Sequence, residues 1–338
     1  MSSQMQQITL ARRPQGLPVP EDFALQTSDI PQPADGEVLI GVAHFSLDPY
    51  MRGRMDDVKS YAPSTGIGEV MTAQGVGRVL VSRATSFVEG DLVMGVTGWS
   101  SHAVVEGSAL RKLDDALPPT TALGVLGMPG FTAWAGLEAY GDMKAGETLV
   151  VAAATGPVGS MVGQLARLKG LRTIAVAGGA AKCALARDSF GFETALDHRA
   201  HDARSLRKAL AEAAPDGVDI YWENVGGKVF EAVLPLMNTH GRIPVCGTIS
   251  MYSGVNTDAP DRLPALMRTV LVKRLKLSGL IIFDHYDRFD AFYAETAPRV
   301  ASGEIAWLED IAEGIETAPA AFISMLGGGN TGKQLVAI

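Results

Sequence analysis

Gly156, Pro157 and Gly159 fall within six residues of one another, in Ala154-Thr155-Gly156-Pro157-Val158-Gly159. The string follows the apolar run 148–153 and precedes Val158, Met161, Val162, Leu165 and Ala166, which recur at helical spacing. A glycine-rich turn between strand and helix suits an anionic ligand. Gly156 lets the backbone approach a pyrophosphate, Pro157 fits the first helical turn, and Gly159 permits close helix packing. The helix N-terminus then presents free N–H groups to the phosphates. Ala154 replaces the first glycine of the usual dinucleotide fingerprint, so the string alone also fits a strand-to-helix turn with no ligand.

The following strand, 172–177, ends at Gly178-Gly179-Ala-Ala-Lys182. An NAD site carries Asp or Glu here to bond the ribose 2′-hydroxyl. The string has no such acid to repel a 2′-phosphate, and Lys182, in the first turn of the next helix, can meet that phosphate as a point charge. NADP is therefore the expected cofactor. Lys182 also reads as a solvated helix-face lysine, and His198 with Arg199 are further candidates for the same edge. Near the end of the chain, Gly327-Gly-Gly-Asn-Thr-Gly332-Lys333 imitates a Walker A loop, but Gln334 stands where Ser or Thr is required. Five residues cannot supply the helix that must follow, so an ATPase is excluded.

These residues need elements to hold them. Between 36 and 113 short apolar runs alternate with Gly and Asp, the pattern of a β-rich, barrel-like domain. Beyond Thr121 the rhythm becomes strand, helix, strand, which predicts a doubly wound α/β domain over 127–297. The tail 298–338 is expected to pack back onto the first domain, 1–126. With 338 residues, 47% hydrophobic and 20% charged, the chain suits two globular domains, and a net charge of −8 argues against nucleic acid as a partner. Two cysteines, Cys183 and Cys246, cannot build a disulfide framework or a cysteine-rich zinc lobe. The opening residues have no apolar signal segment, and Pro and Gly interrupt the uncharged stretches 116–137 and 148–166. The expectation is a cytoplasmic protein with no membrane span.

Five strings go beyond the generic pattern: Asp48-Pro-Tyr50-Met-Arg52-Gly-Arg-Met55, Gly127-Met128-Pro-Gly-Phe-Thr132-Ala-Trp134, Glu223-Asn224-Val225-Gly-Gly227, Cys246-Gly247-Thr-Ile-Ser-Met-Tyr252 and Asn330-Thr-Gly332-Lys333. Over nearly its whole length the chain resembles the zinc-independent medium-chain dehydrogenase/reductases. Within them it resembles the leukotriene B4 12-hydroxydehydrogenase/prostaglandin reductase branch and its bacterial NADPH-dependent curcumin reductases. The resemblance implies a GroES-like domain beside a Rossmann domain, NADPH in the cleft between them, and reduction of the carbon–carbon double bond of α,β-unsaturated ketones and aldehydes. It also implies a homodimer joined through Rossmann sheet edges, for which the apolar run 277–283 is the expected joint. The same run reads equally as a strand covered by its own chain.

Residue by residue, the resemblance gives Tyr252 the proton-donating role. It puts Asn224, Val225, Cys246 and Gly247 around the nicotinamide half, Met128 and Thr132 along the cofactor, and Asn330 and Gly332 over its end. Tyr252 also follows the strand 243–246, at the carboxyl edge where ligands collect in such sheets. A packing or ribose-binding tyrosine is the alternative, and turn chemistry is the alternative for the Asn and Gly positions. Tyr50 and Tyr61 are expected in the substrate pocket, and each reads equally as a core or rim residue. Arg52 either anchors its loop or bonds a carboxylate, and the loops 56–69 and 253–264 are expected to set the substrate.

Hydride transfer to an enone leaves oxygen charge and needs a proton, but no metal. No cysteine precedes Cys183, which leaves only His44, His102 and carboxylates for a metal, so none is expected. The competing readings are a quinone reductase, which needs no acid at Tyr252, a non-enzymatic NADPH-binding protein, and alcohol oxidation. Alcohol oxidation fits the chemistry less well without a Lewis acid.

Overall fold

Buried aromatic rings hold the first strands. A computed structural model describes residues 4–254 and 261–338, which divide into one unit up to Gly124 completed by Glu309–Ile338, and a second, Val125–Leu308. In the first unit, β1 (Gln4–Leu10) and β2 (Phe23–Asp29) form an antiparallel pair. Strands β3 (Glu37–Ser46), β4 (Gln74–Ser82), β5 (Leu92–Val96), β6 (His102–Glu106) and β7 (Arg111–Lys112) belong to a larger sheet, with α1 (Tyr50–Arg54) in the β3–β4 connection. Trp99 is fully buried at the core, stacked on Phe23 at 5.6 Å and Phe45 at 6.1 Å.

The second unit begins with α2 (Met128–Gly136), then alternates. Its elements are β8 (Thr148–Ala152), α3 (Pro157–Leu168), β9 (Arg172–Ala177), α4 (Ala180–Asp188), β10 (Thr194–Asp197), α5 (Ala203–Ala213), β11 (Val218–Trp222), α6 (Gly227–Val233), β12 (Met237–Val245), α7 (Leu263–Lys273), β13 (Lys276–Gly279) and α8 (Phe289–Ala301). All six strands are parallel, in the order β10-β9-β8-β11-β12-β13. Every residue of β8 is buried, as a strand covered by helices on both faces requires. Strand order reverses between β8 and β11, so their carboxyl ends flank the crevice where such sheets bind ligands.

The strand expected over 277–283 is shorter. It stops at Gly279, because the next apolar side chains serve a different contact. The chain turns into a 3-10 segment, Ile282–Arg288, and Tyr286, Phe289 and Phe292 gather around Phe131 of α2 at 5.2–5.5 Å. Pro298 lies inside α8, and Ala306 stays in the second unit through paired hydrogen bonds with Gln164 of α3.

From Glu309 the chain rejoins the first unit as β14 (Glu309–Glu313), α9 (Ala318–Leu326) and β15 (Lys333–Ala337). Strand β15 inserts between β14 and β3, and Phe322 of α9 meets Trp99 edge-on at 5.4 Å. The lysine of the Walker-like string ends up fully buried there. Lys333 Nζ donates to the Leu47 carbonyl and to Asp48 Oδ1, each at 2.7 Å.

Candidate functional site

The turn after β8 is built by close approach. Ala153 adopts a left-handed conformation (φ 52°), and a Cβ on Gly159 would lie 2.4 Å from the Ala153 carbonyl oxygen, so only glycine lets α3 start there. Gly156 differs. A Cβ there would first meet the Ala153 oxygen at 3.4 Å, an ordinary contact, so the protein's own packing does not demand this glycine. Open backbone ahead of the free N–H groups of α3, with Pro157 at its first position and Thr155 buried behind, fits a pyrophosphate.

At the end of β9 several cations converge. A Cβ on Gly178 would lie 3.0 Å from Arg199 Nε and 3.1 Å from His198 Nε2. Asp197 holds this turn by accepting the N–H groups of Gly179 and Arg199, each at 2.8 Å. The Gly179 bond foremost keeps its carboxyl below the usual range. Burial lowers the His198 pKa, and the charges of Lys228, Arg199 and Lys182 lower it further, while Asp197 opposes them. Lys182 and His198 thus share one electropositive corner with Arg199, next to His198 in the chain, and Lys228. Lys228, from α6, also donates to the His201 carbonyl at 3.0 Å. Such a corner suits a 2′-phosphate. Lys228 was not among the sequence candidates, because nothing local in its string marks it as facing β10.

The loops after β11 and β12 are laced together. Asn224 accepts Trp222 Nε1–H at 3.0 Å and donates to the Ala152 carbonyl at 2.7 Å, so its amide braces the ends of β11 and β8. The N–H groups of Val225 and Gly226 are already taken by the carboxylate of Glu223, to which the sequence reading gave no role of its own. Burial, with the Glu223 charge second, pushes the Cys246 thiol up to about 12, so it stays protonated and is no nucleophile. The half-buried Tyr252 brings its hydroxyl over Gly247, where a Cβ would lie 3.1 Å away, and within 3.4 Å of the Thr248 nitrogen. In α2, Thr132 Oγ1 donates back to the Met128 carbonyl at 2.7 Å.

In the first unit, Arg54 lies over the rings of both Tyr50 (5.6 Å) and Tyr61 (5.9 Å). Arg52 both ties down its loop and bonds a carboxylate of its own chain. It is 3% exposed, donates twice to the Gly16 carbonyl and pairs with Asp56 at 2.7 Å. Asn330 and Gly332 form one tight turn through a 2.8 Å side-chain bond to the Gly332 carbonyl. Of the loop 253–264, residues 255–260 lie outside the described residues. Among the described residues no three His, Cys, Asp or Glu come together as a metal site, and no helix is long and apolar enough to cross a membrane.

Two family models match the chain, the N-terminal domain of oxidoreductase over residues 6–113 and zinc-binding dehydrogenase over 157–297. The chain is 50% identical over 332 residues to the NADPH-dependent curcumin reductase of Escherichia coli (strain K12), covering 97% of this chain and 95% of that protein. It is 39% identical to the NADP(+)-dependent 2-alkenal reductase of Nicotiana tabacum, over 89% and 87% of the two chains. A crystal structure of CurA from Vibrio vulnificus in complex with NADPH superposes with a TM-score of 0.93 at 49% identity, covering 98% of each chain.

Proposed function

The chain belongs to the medium-chain dehydrogenase/reductase family, in the branch of the curcumin and 2-alkenal reductases, and on that premise we propose that it reduces the carbon–carbon double bond of α,β-unsaturated ketones and aldehydes. It is an NADP-dependent oxidoreductase, and the residues at its sheet ends fit NADPH: open backbone at Gly156, cations around Gly178 and braced loops after β11 and β12.

NADPH supplies a hydride, which goes to the β-carbon of the substrate. The protein's own residues do the rest. The α3 N-terminus and the turn at Gly156 hold the pyrophosphate, while Lys182, His198 and Arg199 with Lys228 receive the 2′-phosphate. The Asn224, Val225, Cys246 and Gly247 backbone borders the nicotinamide half, with Met128 and Thr132 alongside and the Asn330–Gly332 turn as a further contact. Tyr252 donates a hydrogen bond to the carbonyl oxygen as charge develops there, and the enolate then takes a proton at its α-carbon, from Tyr252 directly or through water, the hydroxyl regaining its own proton from solvent. Tyr50 and Tyr61 contact the substrate, and Arg52 holds their loop. A second copy of the chain is assigned to the β13 edge, where Leu271, Val272, Leu277 and Phe283 are exposed.

The observation that carries the reading is the Tyr252 hydroxyl over Gly247, at the carboxyl end of β12. The test is NADPH oxidation, with NADH in parallel, against a medium-chain enone, an alkenal, curcumin and a quinone. NADPH-selective formation of the saturated ketone is expected, with Tyr252→Phe lowering kcat by roughly 10²-fold or more. Turnover of quinone alone, untouched by the substitution, means a quinone reductase. Tight NADPH binding without turnover means a binding protein.

A further inference from the structure

Glu223 is a carboxylate at 1% exposure that the proposed reaction does not use. Burying such a group is costly unless its oxygens are satisfied, and here each one is. Oε1 accepts the N–H groups of Val225 and Gly226, the latter at 2.8 Å, and Oε2 accepts the Tyr221 hydroxyl at 2.9 Å. The same residue ties down its backbone as well. Its N–H donates to the Pro244 carbonyl at 3.0 Å, and its carbonyl accepts the N–H groups of Cys246 at 2.9 Å and Gly247 at 3.1 Å.

The residues next in the chain inherit this placement. The Asn224 carbonyl accepts Ile249 N–H, the Val225 carbonyl accepts Ser250 N–H, and Tyr252 N–H in turn bonds the Ile249 carbonyl. Gly226 (φ 79°) and Gly227 (φ 58°) turn the chain through left-handed conformations directly behind Val225. A residue needed only to fill the core would be apolar, whereas Glu223 organises both loops that border the nicotinamide half of the site.

We infer that Glu223 is a positioning residue for the nicotinamide end of the cofactor, setting the β11 and β12 loops and through them Tyr252. The inference rests on the NADPH reading. It gives Glu223 no contact of its own with cofactor or substrate and leaves the adenosine corner at Gly178 alone. Burial raises the Glu223 pKa, and the N–H bonds from Gly226 and Val225 oppose that rise, so the carboxylate depends on the contacts it organises.

The test compares two probes on the full-length protein. NADPH reads the whole site, and 2′,5′-ADP reads only the adenosine half. Glu223→Ala is expected to weaken NADPH about tenfold or more and to lower kcat, with 2′,5′-ADP binding unchanged within about twofold. Glu223→Gln, which keeps one oxygen for Val225 and Gly226, is expected to recover most NADPH affinity. If the alanine variant does not fold, Glu223→Asp, one methylene short of those N–H groups, carries the same comparison. Parallel loss of both probes, or no change in either NADPH binding or kcat, overturns the inference. Because both probes are read without an acceptor, absence of enone turnover in the unaltered protein would sink the double-bond reading and leave this comparison intact.

Discussion

His198 is half-buried beside Lys182, Arg199 and Lys228, with Asp197 the opposing charge, and its pKa is lowered, chiefly by burial. Linkage fixes the sign of the consequence. An unfolded histidine titrates at about 6.5. Below that pH the unfolded chain takes up the proton first, so His198 contributes stability above about 6.5 that is lost as pH falls through its lower folded value. Against His198→Asn, the cofactor-free protein should therefore lose urea resistance between about pH 7 and 5. A difference between the two proteins that stays constant over that range would refute the assignment. At this scale the sequence is most informative where function is local. Gly156, Gly159 and Lys182 lie in the strand-to-helix turns after β8 and β9 or in the first helical turn beyond them, so spacing alone nominates them. Lys333 and Asp48, 285 positions apart, become partners only when β15 reaches β3, and Glu223 gains meaning only from N–H groups that a turn aims back at it.

Among the elements, α3 offers a direct separation of packing from binding. A Cβ on Gly163 would lie 2.0 Å from Cζ of the buried Phe192, whereas one on Gly156 meets nothing closer than 3.4 Å. Gly163→Ala should cost about 1–3 kcal/mol, read as a lower denaturation midpoint. Gly156→Ala should leave that midpoint nearly unchanged while impairing NADPH binding. Equal effects of the two on stability would contradict this division. The alternation of strand and helix was legible because parallel strands are buried on both faces and read as apolar runs. The end of β13 was not, since an apolar run cannot declare whether it extends a strand or, as Phe283 and its neighbours do, enters an aromatic cluster in a 3-10 turn.

For the whole molecule, β13 is an edge strand among the described residues, and α7, which precedes it, carries exposed apolar side chains. Leu271 is 76% exposed, with Val272 next to it on α7 and Leu277 exposed on β13. Covering them with a second copy predicts a sedimenting mass of twice the chain, and Leu271→Lys with Leu277→Lys should give a monomer that still binds NADPH. A monomeric unaltered protein would remove the assigned joint. The β-strand that closes the first unit has a different kind of consequence. β15 lies between β14 and β3, yet the ribosome makes it only after the entire second unit. At roughly 5–20 residues per second, translation from Gly124 to Glu309 takes on the order of 10–40 s. Throughout that interval the nascent β3 has no β15 to pair with and Asp48 has no Lys333. The order of synthesis thus favours the second unit, whose residues emerge without interruption, as the first to reach its finished form.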